Sequence, residues 1–230
     1  ISIGSVYALS VLTRPIMADM GFTLSQTTWT FSLAILMLGL SAGFLGSFAE
    51  KIGPKKSGLL AMLFWVTGLL GTAYALSIHN LTLLYLFYGI IGGIGLGIGY
   101  ITPVSTLVKY FPNRPGFATG LAIMGFGFAS LIAGPLMQYL VAQVGLVDTF
   151  IILGVIYLVI MSASSLYLKA PQPKHPTRTT KDKSAMYVHT HGMLANDAMK
   201  TWQFGALWWV FFINITCGIG LLSLASPMAQ

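Results

Sequence analysis

Two places in this sequence carry charge where charge must have a use. The first is the run GSFAEKIGPKK, residues 46–56, in which Gly46 and Glu50 are followed by Lys51, Gly53, Lys55 and Lys56. One carboxylate among three cations is not the paired arrangement that acid–base catalysis uses, but it can accept hydrogen bonds from basic side chains or a helix N-terminus and release them. The second is Arg14, within an otherwise apolar segment, where an unpaired charge is expensive in lipid. It reads either as a side chain snorkelling to the outer interface or as a group that draws anions to the mouth of a cavity. Tyr7 precedes it by two helical turns on the same face, and Tyr100 lies deep in a later apolar segment. Each phenol can hydrogen-bond a carboxylate, and each can equally serve as packing.

Other chemistries are excluded by what these residues lack as neighbours. His189 and His191 form an HxH pair with no third ligand nearby beyond Asp197, too few for a metal site. Cys217 is the single cysteine and lies in an apolar run, which excludes a disulfide framework, a thiolate cluster and a CxxC redox pair. The acids Asp19, Glu50, Asp148, Asp182 and Asp197 all fall between or at the ends of apolar runs, so no carboxylate is placed at mid-membrane for a proton relay. No Ser/His/Asp or paired-acid arrangement lies within those runs either. That argues against a polytopic membrane enzyme, the alternative function class. No motif calls for a cofactor.

The elements that must hold these residues follow from composition. Of 230 residues only 7% are charged and 56% are hydrophobic, and mean hydropathy is +0.81, which together describe an integral membrane protein rather than a soluble domain. The charge-free intervals fit whole numbers of bilayer-crossing helices of about 20 residues each. Residues 57–108 hold none of the charges and fit two helices, with the break at Ser77-Ile78-His79-Asn80. The pattern predicts spans at 1–17, 26–49, 57–77, 81–108, 116–142, 146–168 and 204–229.

Lys and Arg crowd the loops after the second, fourth and sixth spans, and eleven of the twelve basic residues lie there, all but Arg14. This bias predicts that those loops and the N-terminus face the cytoplasm of a multi-pass plasma (inner) membrane protein. It also explains a net charge of +7 without a nucleic-acid partner. Residues 169–203, opening with Pro171, Pro173 and Pro176, read as a flexible linker.

The pattern from Gly46 through Lys56 resembles the signature of the major facilitator superfamily in its cytoplasmic loop after the second helix. Glu50 stands where that signature normally has Asp. The resemblance implies a carboxylate that holds the inward gate, and an all-α membrane fold of twelve helices in two bundles. Gly46 would let helices approach closely, Gly53 would permit a tight reversal, and Lys51, Lys55 and Lys56 would anchor to headgroups. On this reading 1–168 is an N-terminal six-helix bundle, 169–203 a central cytoplasmic linker, and 204–230 the first helix of a C-terminal six-helix bundle that the sequence does not contain. Gly4 through Val11 with Pro15, Pro112-Asn113-Arg114-Pro115-Gly116 with Ala118-Thr119-Gly120, and Met199-Lys200-Thr201 with Gln203-Phe204, Leu207-Trp208 and Gly218-Ile219-Gly220 resemble the oxalate/formate antiporter family. That implies rocker-switch transport of small carboxylate anions across the lipid bilayer, by exchange or facilitated movement.

Two glycine patterns complete the reading. Gly89, Gly93 and Gly97 recur every four residues, with Gly95 and Gly99 expected on the same surface, and predict a smooth helix face for close packing rather than a dinucleotide loop. Gly125, Gly127, Ser130, Gly134 and Pro135 predict a second such face ending in a proline break.

Overall fold

The structure, a computed structural model, describes residues 10–169 and 199–229 together with Gly4, Val6 and Asp197. Seven helices follow in order among them: α1 (Ser10–Met20), α2 (Leu24–Ile52), α3 (Pro54–Ser77), α4 (Leu81–Tyr110), α5 (Pro115–Val144), α6 (Leu146–Tyr167) and α7 (Trp202–Ala229). Five of them, α2 to α6, are long and apolar enough to cross a membrane. Their bounds fall within three residues of the expected spans. The differences arise where the helix continues past the apolar core into interfacial residues, as α2 does through Glu50 and Lys51.

Local chemistry explains the boundaries. Thr23 and Gln26 form a reciprocal capping box at the start of α2, with the Thr23 N–H donating to Gln26 Oε1 at 3.0 Å. Gly53 and Gly145, at φ +83° and +84°, make the reversals into α3 and α6, a region of backbone space that a side chain disfavours. Between α3 and α4 the chain turns through His79, and the Asn80 side chain caps α4 by accepting from the Leu83 N–H at 3.1 Å. Pro135 makes no break: α5 runs through it to Val144, as α1 and α4 run through Pro15 and Pro103. In an apolar environment the helix offers its backbone groups better partners than any broken alternative.

The chain divides into two compact units, Ile1–Pro171 with Ser223–Gln230, and Gln172–Leu222. In the first, α3 packs against α6 and α4, α2 against α4, and α5 against α4, α6 and α1. An aromatic cluster sits at the junction of α3, α4 and α6. Trp65 meets Tyr88 and Tyr157 edge-on at 5.8 and 6.2 Å, Tyr88 meets Phe150 at 6.3 Å, and all four rings are buried. The second unit holds the first part of α7, where Trp208 stacks on Phe212 with ring centroids 5.1 Å apart.

Helices α2 and α4 run side by side in the same direction along their whole length. Tyr85 Oη donates to the Gln26 carbonyl at 2.8 Å at one end, and Glu50 meets Lys109 at the other. Between them Gly89 faces Leu33, Gly93 faces Ala34 and Met37, and Gly97 faces Leu38 and Ser41. Gly95 does not share that face. It turns to α3, where a Cβ would lie 2.6 Å from the Trp65 backbone nitrogen and 3.0 Å from the Ala61 carbonyl. Residues two apart on a helix point nearly opposite ways, so α4 is wedged between two neighbours with glycine toward each. After a first α-helical turn, Leu81–Leu84, α4 widens into a π-helix over Tyr85–Gly92, a geometry that is frequent at functional positions.

Candidate functional site

At the end of α2, Glu50 accepts from Lys109 Nζ at 3.2 Å, with both side chains about half exposed. The pair borders a cavity of about 180 Å³ lined by Gly53, Pro54, Thr102, Ser105 and Thr106 as well as Glu50 and Lys109. Thr102 Oγ1 donates its one proton to the Ile98 carbonyl at 2.7 Å, so the 2.6 Å contact between Thr102 and Ser57 has Ser57 as donor. Thr106 and Ser105 both donate back to the Thr102 carbonyl. The hydroxyls therefore turn lone pairs to the cavity, and Lys109 is its cation. Lys51, Lys55 and Lys56 are all exposed beside it. Gly46 lies in the same helix, but a Cβ there would meet Ile101 at an ordinary 3.7 Å, so close approach at this position does not require glycine.

Arg14 occupies a second place. It lies in α1 and, with Gln138 and Val141 of α5, lines an open cavity of about 420 Å³. Tyr100 lines neither this cavity nor the one at Glu50; its half-buried ring packs against Phe126 of α5 with centroids 5.5 Å apart. Tyr7, His189, His191 and Asp182 lie outside the described residues. A Cβ at Gly125, Gly127 or Gly134 would meet nothing within 4 Å, so these three glycines seat no neighbouring helix among the described residues, whereas Ser130 on the same face lies against Gly4. The buried face of α5 is instead the alanine row Ala118, Ala122, Ala129 and Ala133, with Met137. Among the described residues no cluster of three or more His, Cys, Asp or Glu gathers.

Two residues of these sites are not marked by the sequence pattern. Lys109 reads there only as part of the topology bias, and Gln138 does not stand out at all. The usable signal for Lys109 is that α2 and α4, both ending on the basic face, must bring their C-terminal ends level if they are neighbours.

The whole chain, residues 1–230, matches the family model of the Major Facilitator Superfamily. The chain belongs to this superfamily. It is a multi-pass membrane protein, as the five long apolar helices among the described residues require. It is 29% identical to the uncharacterized MFS-type transporter YhjX of Escherichia coli (strain K12) over all of the chain and 55% of that protein. It is 27% identical to monocarboxylate transporter 14 of Homo sapiens over 81% of the chain and 36% of that protein. It is 24% identical to the oxalate:formate antiporter of Oxalobacter formigenes over 98% of the chain and 51% of that protein. The chain thus spans about half the length of the Escherichia coli and Oxalobacter formigenes proteins and about a third of the human one.

Proposed function

We propose that this chain supplies the N-terminal bundle, the central linker and the next helix of a transporter that moves small carboxylate anions across the plasma membrane. Two bundles would rock about a site at the bilayer midplane, with the basic loops and the linker in the cytoplasm. Superfamily membership and relatives named for monocarboxylate and oxalate:formate transport support transport over catalysis. The observation that carries the anion is Arg14: a guanidinium bordering a cavity of about 420 Å³ beside Gln138 offers a fixed charge and an amide donor to a carboxylate. Glu50 and Lys109 would act as a latch at the cytoplasmic end, made in one state and released in the other.

The test is counterflow of labelled oxalate, formate and pyruvate in proteoliposomes of the full-length protein. At least one anion should exchange, and Arg14→Gln should raise its KM, whereas Arg14→Lys should retain part of the affinity. Absence of flux for all three, or an Arg14→Gln protein with native KM, would remove the anion reading.

A further inference from the structure

Away from both cavities, the interior of the bundle holds a small pocket lined by threonine hydroxyls. Thr13 of α1, Thr27 and Thr30 of α2, and Thr72 of α3 are all buried, and they converge with Tyr88 and Phe150 on a small space of about 10 Å³. The Thr30 side chain is only 3% exposed, and its hydroxyl has no hydrogen-bond partner among the described residues. A buried hydroxyl without a partner costs more than a hydrogen bond returns, so its persistence in a core position calls for a partner that is not a side chain.

The neighbours define what that partner must be. Thr27 Oγ1 donates to the Thr23 carbonyl at 3.2 Å, and Thr72 Oγ1 donates to the Gly68 carbonyl at 2.7 Å. Each hydroxyl has spent its single proton and can offer only lone pairs to the pocket. Thr30 still has its proton to give. Two acceptors and one donor match a molecule with two protons and a lone pair. A space of about 10 Å³ is the least that holds one water. A metal cation or an organic ammonium would need a carboxylate to offset its charge in a membrane interior, and the lining has none. An anion larger than water does not fit a space of about 10 Å³, and the lining offers it no cation.

We infer that this pocket binds a single water molecule, held by the Thr30 hydroxyl and the lone pairs of Thr27 and Thr72, which links α2 to α3 through the core. The test uses the full-length protein. A density map that resolves ordered water should show one molecule within hydrogen-bonding distance of Thr30 Oγ1. Thr30→Val, equal in shape but without the hydroxyl, should lower the thermal midpoint, and Thr30→Ser should retain most of it. The effect of Thr30→Val should also be less than additive with Thr72→Val, because both substitutions remove partners of one molecule. A dry pocket in the map overturns the inference. So does a Thr30→Val protein at least as stable as the parent, because an unpartnered hydroxyl would then have been the cost that valine relieves.

Discussion

Gly97→Ala tests whether the α2–α4 seam is as tight as its glycines indicate. A methyl group at Gly97 would run into the Ser41 hydroxyl and the Leu38 carbonyl oxygen, and would approach the Ala42 backbone nitrogen to 3.0 Å. The hydroxyl can rotate away, but the two backbone atoms move only if α2 moves. Overpacking of this kind costs about 1–3 kcal/mol. Gly46→Ala is the control on the same seam, because its methyl would find Ile101 at 3.7 Å and need no adjustment. There alanine should be neutral or stabilising by up to about 1 kcal/mol, through its lower conformational entropy in the unfolded chain. The two variants should therefore differ by about 1–4 kcal/mol, with opposite signs available. Adding Ser41→Ala to Gly97→Ala should recover only part of the loss, because the Leu38 carbonyl remains. Thermal unfolding of the full-length protein in detergent, followed by tryptophan fluorescence, reads the ordering directly. If Gly97→Ala matches or exceeds the parent, or if both glycines respond equally, the seam is not set by backbone contact and the reasoning fails.

The Glu50–Lys109 pair is half exposed, so its coupling should be about 0.2–1 kcal/mol, a roughly 1.4- to 5-fold shift between states, rather than the larger value of a buried charge pair. Glu50→Lys or Lys109→Glu alone should slow transport by about that factor, and the double reversal should recover it; a double reversal no better than either single change would mean the pair is incidental. For topology, Ser77→Cys and Asn113→Cys, each in a Cys217→Ser background, should be labelled by an impermeant maleimide only from outside and only from inside, respectively. Ser77 is preferred to Asn80 because Asn80 caps α4. Labelling from the opposite sides would invert the orientation and place Glu50 at the outer face.

The helices are legible in the sequence because a bilayer enforces one length scale, and seventeen charged residues in 230 leave intervals that only whole helices can fill. The turns are legible for a related reason: in a chain so apolar, a polar cluster such as Ser77–Asn80 or a glycine such as Gly53 between charges marks a place where the chain leaves the lipid. Pairing is not legible. Glu50 and Lys109 meet only because α2 and α4 run parallel, and parallel neighbours are not adjacent in sequence. Nor can periodicity assign Gly95 to α3, since the decision lies in which neighbour occupies each side of α4. Alanine and glycine carry equal smoothness in sequence. Only the structure distinguishes the buried alanine row of α5 from its open glycines.

That distinction bears on how such a bundle can work as a unit. Where α2, α3 and α4 meet, glycine brings backbones together and the Trp65, Tyr88, Phe150 and Tyr157 rings fill the adjoining space. Contacts of that kind are lost abruptly when helices slide, because a methyl-sized displacement turns close packing into overlap on one side and a void on the other. The interior of this unit should therefore resist internal rearrangement. The open glycines of α5 and the exposed Glu50–Lys109 pair carry no such penalty, and change can be confined to surfaces like these. In the transport reading proposed above, this division assigns rigidity to the α2–α3–α4 core and motion to the α5 face and the α2–α4 cytoplasmic ends. A Gly97→Ala protein should then lose stability without a selective loss of exchange among the molecules that remain folded, whereas the charge-reversed Glu50 protein should keep its stability and lose rate.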